Sequence, residues 1–344
     1  MDDGDIDYYL PRDVSYDIGA LKAFLADDPD ATLIFYGGEP LLNVEKMYEV
    51  MDVVPAKRFM LHTNGTMLHS VRPEYIKRLH TISISIDGDE ALTDYNRGEG
   101  VYRRIVSNAR LIRESGFKGE VIARMTVTED CDIYKQALFL LDNRDFPFDS
   151  VHWQLNALFW KNDYKRRRFA QWAEESYNPG IDRLVKEWVR VMREKGKVLR
   201  MYPFMSVMRS LLLEEKTLLR CGAGWAEFNV QTDGRISPCP VMSGMKKYYA
   251  GDIFSGHPLR LRQTLISGPC KGCDVLEVCG GRCLYANVTM KWGDKGFAEV
   301  CSTVKHLIKT LKDVLPEVRH LLKEGKISME DFEHTKFNSC EIIP

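Results

Sequence analysis

The sequence predicts an α/β fold with a parallel sheet, followed by a cysteine-rich region. The first 155 residues alternate short apolar runs with amphipathic stretches, and eight of the nine cysteines lie from residue 221 onward. Strand–helix alternation at this spacing indicates right-handed βαβ units, which build a parallel sheet that is either open or closed into a barrel. The change of texture after residue 155 indicates a second region of different architecture.

The predicted elements follow from where the apolar runs begin and stop. In chain order they are a strand at 31–36, a helix at 44–53 capped by Asn43, strands at 58–62 and 82–86, a helix at 101–114, a strand at 120–127, a helix at 134–141 and a strand at 151–155. Beyond these, we expect a solvated helix face at 161–168, a helix at 181–194 that ends at Gly196, a segment at 211–219 that leads into the cysteine-rich part, and a long helical region at 302–324 broken at Pro316.

The charge balance excludes two classes of partner. The chain has 48 basic and 49 acidic residues, and this gives no electrostatic basis for binding nucleic acid or a membrane surface. No apolar run approaches the roughly 18 residues that a membrane span needs, and the acidic start does not resemble a signal peptide. We therefore expect a cytoplasmic protein with no nucleic-acid or membrane partner.

Three predicted strands end in residues suited to a ligand site. The segments after them are 37–40 (Gly-Gly-Glu-Pro), 63–65 (Thr-Asn-Gly) and 87–88 (Asp-Gly). Any one of them alone is typical of a turn. In α/β folds, however, ligands bind at the carboxyl ends of the strands, so three such segments at one end favour a ligand-binding rim.

The cysteine spacing indicates metal binding. Nine cysteines are an odd number in a chain with no predicted signal peptide, which argues against a disulfide framework. The spacing is Cys221-x12-Gly234-x4-Cys239, then Cys270-x2-Cys273-x5-Cys279-x3-Cys283, then Cys301. Structural zinc and iron–sulfur clusters are both compatible with it. Four cysteines in one irregular run, among apolar and aromatic residues, favour iron–sulfur over the two separated pairs typical of zinc.

These motifs together resemble the radical S-adenosylmethionine (SAM) peptide-modifying enzymes that carry a SPASM extension. The motifs are the cysteine spacing, Tyr36-Gly37-Gly38-Glu39-Pro40-Leu41, Thr63-Asn64-Gly65, and Ser85-Ile86-Asp87-Gly88 with Arg97. The resemblance spans nearly the whole chain and is closest to an archaeal-type group of such proteins. It implies a partial (β/α)6 barrel at 1–160 whose first strand is missing, a helical linker at 161–215, and a SPASM iron–sulfur domain with C-terminal helices at 216–344.

The resemblance also implies which residues bind SAM. The segment Gly37-Gly38-Glu39-Pro40 receives its amino group, Ser85 and Arg97 fix its carboxylate, and Asn64 contacts its ribose. An arginine fork suits a carboxylate, and glycines allow close approach of the backbone. The alternative for Arg97 is a surface ion pair with Glu99.

Seven cysteines are implied as ligands of two auxiliary 4Fe–4S clusters. The first cluster would be bound by Cys270, Cys273, Cys279 and Cys301, and the second by Cys221, Cys239 and Cys283. The fourth ligand of the second cluster is either Cys340 or an open site for substrate. Cys131 has no partner in the motif, and we expect it to be an ordinary buried thiol.

The implied reaction is hydrogen abstraction from a peptide or protein substrate by a 5′-deoxyadenosyl radical made from SAM, with a ferredoxin or flavodoxin as reductant. The C-x3-C-x2-C motif that binds the catalytic cluster in this family does not occur in the sequence. We therefore expect a shortened N-terminus rather than a degenerate relative, and no SAM cleavage by this chain as it stands.

Two other functions stay open. A sulfatase-maturase-like enzyme is less favoured, because those relatives carry a carboxylate directly after the second motif cysteine, where this chain has Pro240. A non-catalytic iron–sulfur adaptor, which transfers electrons or binds peptides, is the alternative from another class.

Overall fold

A computed structural model describes residues 5–156 and 167–344, and the chain divides into two compact units. Each unit is built from three stretches of chain. The first comprises the residues up to Ile84, Arg104–Val121 and Gly222–Leu265, and the second comprises Ser85–Arg103, Ile122–Cys221 and Ile266–Pro344.

The predicted α/β fold is confirmed by a five-stranded parallel sheet. Its strands are β1 (Thr32–Phe35), β2 (Arg58–Thr63), β3 (Leu79–Ser85), β4 (Glu120–Val127) and β5 (Ser150–Leu155), in the order β1-β2-β3-β4-β5. The pairs β1/β2, β2/β3 and β4/β5 are parallel. The predicted strands match these bounds closely, except that β3 begins three residues before the predicted start at Ile82.

One helix precedes β1, and the others connect the strands, as the alternation predicts. They are α1 (Ile18–Leu25), α2 (Val44–Val53), α3 (Pro73–Ile76), α4 (Glu90–Arg97), α5 (Val101–Glu114) and α6 (Ile133–Leu141). Asn43 caps α2 as expected, because its side chain accepts a hydrogen bond from the Lys46 N–H. Helix α1, which the sequence reasoning missed, begins at the cap Asp17.

The core of the first unit lies between α1, α2 and a small antiparallel sheet. This sheet consists of β6 (Asn229–Val230), β7 (Arg235–Ser237) and β8 (Gly251–Asp252). Ile18, Leu21 and Phe24 on one face of α1 pack with Val50 of α2 and Ile236 of β7. Their three-residue spacing places these α1 side chains on one stripe, and the burial of that stripe stabilises a helix of only eight residues.

The remaining α-helices of the described residues belong to the second unit. They are α7 (Phe169–Trp172), continued by a π-helical turn at Ala173–Tyr177, and then α8 (Asn178–Lys195), α9 (Tyr202–Leu213), α10 (Leu276–Cys279), α11 (Leu284–Thr289) and α12 (Gly293–Lys323). Trp188 of α8 contacts Phe204 of α9 edge-on, with ring centroids 5.5 Å apart. None of the helices in the described residues is both long and apolar enough to cross a membrane.

The prediction that Pro316 breaks the last helix is wrong. Helix α12 runs through Pro316 from Gly293 to Lys323, beginning nine residues before the predicted start. A proline inside a helix costs about 3 kcal/mol. Leu307, Ile308 and Leu311 are fully buried where α12 packs on α8 and α9, and burying each contributes roughly 1.5–3 kcal/mol. Packing therefore outweighs the loss of one backbone hydrogen bond.

The basic run predicted as a helix face at 161–168 lies mostly outside the described residues. Of its described part, Arg167 forms a two-pronged ion pair with Glu129, with Nε–Oε1 and Nη2–Oε2 distances of 2.6 and 2.7 Å. This arginine is fixed by a carboxylate rather than left in solvent.

Candidate functional site

In the first unit, Glu39 connects the carboxyl ends of β1 and β2. Its Oε1 accepts hydrogen bonds from the Leu41 N–H (3.1 Å) and the Thr63 hydroxyl (2.8 Å), and its Oε2 accepts one from the Asn64 N–H (2.7 Å). These bonds fix the carboxylate in place. A carboxylate offers about four acceptor positions, so one position at Oε2 is left for an ammonium group.

The two glycines before Glu39 face open space. A Cβ atom added to Gly37 or Gly38 would meet no atom within 4 Å, and Gly37 has a φ of 153°, which favours glycine. The backbone is therefore accessible to a ligand here, as the sequence reasoning expects.

Asn64 uses its side-chain oxygen in its own turn. That oxygen accepts hydrogen bonds from the Thr66 N–H (2.9 Å) and the Thr66 hydroxyl (2.7 Å). The group that Asn64 can still offer to a ribose is therefore its amide NH2, a donor.

In the second unit, a buried carboxylate holds the predicted arginine. Asp87 follows β3, and its side chain is only 2% exposed. Its Oδ1 accepts from Arg97 Nη2 (2.8 Å) and from the Thr126 N–H (2.8 Å), and its Oδ2 accepts from the Asn96 amide (3.2 Å). The ion pair of Arg97 is therefore with Asp87, and the pair with Glu99 considered above is not the one that forms.

The Arg97 guanidinium keeps one donor available. Its Nε is buried and has no hydrogen-bond partner within residues 5–156 and 167–344. A buried N–H without a partner is costly, and a ligand carboxylate would satisfy it. Ser85, half-buried, is the last residue of β3. The residues of the second unit thus fit the carboxylate end of SAM, and joint binding with Glu39 of the first unit stays a prediction.

Five cysteines line one apolar cavity in the second unit. They are Cys270, Cys273, Cys279, Cys283 and Cys301, and the other lining residues include Leu276, Trp292, Phe297 and Val300. Cys270 lies in a 3-10 turn, Cys279 ends α10 and Cys301 lies on α12. The fold therefore brings together cysteines that are up to 31 residues apart in sequence.

The Gly280-Gly281 pair allows the chain to bend around this cavity. Both residues have a positive φ, 73° and 95°. A Cβ on Gly280 would lie 2.7 Å from the Leu219 backbone nitrogen, and one on Gly281 would lie 2.6 Å from the Ile266 side chain. Glycine is thus required at both positions by conformation and by space.

Burial raises the pKa of the cavity thiols. It raises the pKa of Cys270 and Cys279, and it raises the pKa of Cys301 to about 11. Without metal these groups are protonated at neutral pH, so binding iron must release protons. Asn287 donates a hydrogen bond to Cys270 Sγ at 3.3 Å, which suits a thiolate ligand.

The cavity fits a cluster in its donors and its lining. A 4Fe–4S cluster takes one thiolate at each of four irons, so its ligands surround a larger core than a single zinc ion does. Five thiols around an apolar cavity match the cluster interpretation in donor type and lining.

The second predicted ligand set is divided between the units. Cys239 belongs to the first unit, whereas Cys221 and Cys283 belong to the second. Cys283 lines the same cavity as the four cysteines assigned to the first cluster. The assignment of a second cluster to Cys221, Cys239 and Cys283 stays a prediction.

The two remaining cysteines are buried. Burial raises the pKa of Cys131 to about 12, as expected for an ordinary thiol in an apolar environment. Cys340 is also fully buried, and its N–H donates to the Asn338 side chain. Its role as a fourth ligand stays a prediction.

Sequence reasoning missed the roles of three supporting residues. Asp87 and Thr63 were placed in the ligand-binding rim and the family motifs, but not as partners of Arg97 and Glu39, and Asn287 was not considered. Spacing alone gave no signal for Asp87 as the partner of Arg97, which is the last residue of α4.

The comparisons with known proteins agree with these observations. Residues 8–130 match the family described as the radical SAM superfamily. A comparison with curated protein sequences finds no match.

Solved structures show the same fold across most of the chain. Native anSMEcpe with bound AdoMet has a TM-score of 0.68 at 16% identity, covering 91% of this chain and 92% of that one. The same protein with bound AdoMet and the Kp18Cys peptide has a TM-score of 0.68 at 17% identity, covering 90% of each chain. Streptococcus suis SuiB bound to S-adenosylmethionine has a TM-score of 0.50 at 15% identity, covering 78% of this chain and 66% of that one.

Proposed function

We propose, from the match of residues 8–130 to the radical SAM superfamily, that the chain is a radical SAM enzyme of SPASM type that modifies a peptide or protein substrate. The observation that carries the proposal is the apolar cavity lined by five cysteines in the second unit. SAM, when bound and reductively cleaved, supplies the 5′-deoxyadenosyl radical that removes a hydrogen atom from the substrate.

The chain's own residues bind and orient SAM in this proposal. Glu39 accepts a hydrogen bond from the ammonium group, and Arg97, held by Asp87, donates its free Nε–H to the carboxylate. Because Asp87 fixes the guanidinium before the ligand arrives, little side-chain entropy is lost on binding. Ser85 and the Asn64 amide would complete the contacts with the carboxylate and the ribose.

A peptide substrate is supported by the structural neighbours. The anSMEcpe structures include complexes with the Kp18Cys and Cp18Cys peptides. We propose that residues 216–344 form the SPASM domain with two auxiliary clusters, and that a ferredoxin or flavodoxin supplies electrons.

Metal analysis under anaerobic conditions tests the cluster assignment. Reconstituted protein should hold roughly eight irons with acid-labile sulfide, the content of two 4Fe–4S clusters. One or two equivalents of zinc without sulfide would contradict the proposal.

SAM binding by equilibrium dialysis tests the second-unit site. Arg97→Gln should weaken binding at least tenfold, because it removes both the charge and the free donor. Arg103→Gln is the matched control, since Arg103 is an exposed arginine paired with Glu90 in the same unit. Equal SAM affinity in the two variants would refute the role of Arg97.

The radical reaction is tested by 5′-deoxyadenosine formation with dithionite. The chain is compared with a version that carries an upstream C-x3-C-x2-C segment, and we expect only the extended version to form the product. 5′-Deoxyadenosine from the shorter chain, above a cluster-free control, would contradict the expectation drawn from the sequence. If neither version forms 5′-deoxyadenosine although the protein binds iron, the results would favour the non-catalytic iron–sulfur adaptor.

A further inference from the structure

Arg282 is a buried cation in the wall of the cysteine cavity. It lies between Gly281 and Cys283, lines the cavity, and is only 8% exposed. Its backbone has a φ of 52°, which non-glycine residues rarely adopt. The chain holds this arginine against the cavity in a conformation that glycine would adopt more easily.

The guanidinium has little to bind in the protein. Its Nε is buried without a hydrogen-bond partner among the described residues, and Cζ lies 5.8 Å from the centre of the Trp292 ring. An aromatic face stabilises a cation only modestly, and a buried charge normally needs an anion. The charge is therefore available to a negative group in the cavity.

Arg220, in the same unit, is a buried arginine whose donors are used by the protein itself, and it serves as a comparison for Arg282. It is equally buried, but its Nε and Nη2 donate to the Val278 carbonyl, its Nη1 donates to the Ser206 carbonyl, and Nη2 also bonds the Ser210 hydroxyl. Its donors are used by backbone and hydroxyl oxygens. Arg282 differs from it because the Arg282 Nε is left without a partner.

Arg282 also lies close to the predicted sulfur ligands. The backbone N–H groups of Gly281 and Arg282 donate hydrogen bonds to the Cys279 thiol, and the guanidinium interacts electrostatically with Cys279 and Cys301. Backbone donors and a positive charge therefore converge on the same sulfurs.

We propose that Arg282 is a positioning residue whose buried positive charge raises the reduction potential of the cluster bound at Cys270, Cys273, Cys279 and Cys301. The inference rests on the proposed function, because it requires a cluster in this cavity. One-electron reduction, by dithionite in the test, adds one negative charge to the cluster. A nearby buried cation stabilises the reduced form more than the oxidised form, because screening by water is weak there.

The second cation of the cavity provides a matched control. Lys305 lines the same cavity, but its side chain is 47% exposed and its Nζ lies 2.6 Å from Asp274 Oδ1. A neighbouring carboxylate and solvent both reduce the field of this lysine. Replacing Lys305 should therefore change the cluster much less than replacing Arg282.

The experiment is a redox titration followed by electron paramagnetic resonance on the reconstituted full chain. In Arg282→Gln, the ratio of reduced to oxidised cluster at a fixed potential should fall at least tenfold, which corresponds to 59 mV for one electron. Arg282→Lys and Lys305→Gln should stay near the wild-type value. The affected signal should be the one that Cys273→Ala removes.

Three outcomes would overturn the proposal. The first is an unchanged potential in Arg282→Gln with iron retained, and the second is an equal shift in Lys305→Gln. If Arg282→Gln loses its iron, Arg282→Lys becomes the test, and the proposal then requires this variant to retain its iron at a potential near the wild-type value. Loss of iron in both Arg282 variants, the third outcome, would show that the shape of arginine matters and its charge does not.

The failure of the proposed function would look different. Wild-type protein that binds no iron and sulfide at this cavity would contradict the cluster itself. Wild-type protein with a full complement and an unmoved potential in Arg282→Gln would contradict only the role of Arg282.

Discussion

Replacing Asp87 with asparagine should loosen the carboxyl ends of β3 and β4. The substitution keeps the size of the side chain and removes its charge. In the native protein the buried carboxylate accepts from Arg97, Asn96 and the Thr126 N–H. The asparagine oxygen can still accept, but its NH2 group faces at least one of these donors, so one hydrogen bond is lost and the others lose their charge assistance.

The expected cost is about 2 kcal/mol. A hydrogen bond to a charged group contributes roughly 1.5–3 kcal/mol, and removing one partner of a buried ion pair costs about 3–5 kcal/mol. Arg97 is 23% exposed, so water can partly solvate it once Asp87 is neutral, and the cost should lie in the lower part of the range of roughly 1.5–3 kcal/mol for one charged hydrogen bond. A cost of about 2 kcal/mol corresponds to roughly a 30-fold change in an opening equilibrium.

Hydrogen exchange measured by mass spectrometry is the assay, because the Thr126 amide donates directly to Asp87. In Asp87→Asn, peptides covering this part of β4 should exchange about 30-fold faster under native conditions. Glu90→Gln is the control, since Glu90 forms an exposed ion pair with Arg103 in the same unit and its loss should leave exchange unchanged.

A double-mutant cycle of Asp87→Asn and Arg97→Gln completes the test. We expect a coupling of about 1–2 kcal/mol between the two positions, as for residues in direct contact. Additive effects, or equally fast exchange in Asp87→Asn and Glu90→Gln, would refute the conclusion that Asp87 fixes Arg97.

Two further predictions concern the cysteines and a glycine. Cys273→Ala should lower the iron content by about four per chain, while Cys131→Ala should leave it unchanged, and equal losses would contradict the assignment of Cys131 as a bystander. Gly88→Ala should destabilise the second unit by about 1–3 kcal/mol in urea unfolding, because φ is 151° and a Cβ would collide with the Gln136 side chain. Gly38→Ala, where a Cβ meets open space, should leave the unfolding midpoint unchanged, and equal destabilisation would refute the argument.

The strands of the sheet were largely predictable because each is a buried apolar run that ends in turn residues. Strand β3 is the exception. Strand β3 begins at Leu79, and Thr81 within it is fully buried although it is polar. The sequence pattern marks only the apolar Ile82–Ile86 part, because a buried hydroxyl is recognised only once its hydrogen-bonded surroundings are known.

For the C-terminal helix, the sequence predicted a break that the structure does not have. Pro316 predicts a break when the helix is considered alone, and local propensity supports that prediction. The helix continues because α8 and α9 bury its apolar face, and that tertiary contact is not visible in a window of sequence. Local signals fail here because packing contributes more free energy than one hydrogen bond.

The candidate sites were predictable in their residue types but less so in their partners. The spacing of Cys270, Cys273 and Cys279 indicates a local metal-binding loop, whereas the arrival of Cys301 depends on how α12 packs. For Arg97, the sequence offered Glu99 as the alternative partner, while the fold places Asp87 beside it. Sequence spacing alone cannot decide whether an arginine pairs with a nearby residue such as Glu99 or with a carboxylate that follows a strand.

Arg97 and Arg282 differ in whether a carboxylate neutralises their charge. Arg97 is paired with a buried carboxylate, so its net field is small and its value lies in a fixed donor that orients a ligand. Arg282 faces an aromatic ring and sulfur atoms, so its charge is not cancelled within the protein and acts on whatever occupies the cavity. Removing the charge of Arg97 should therefore weaken SAM binding, and removing that of Arg282 should lower the reduction potential of the cluster. An assay that measures affinity and potential on both variants separates these effects, because each substitution should move one quantity and spare the other.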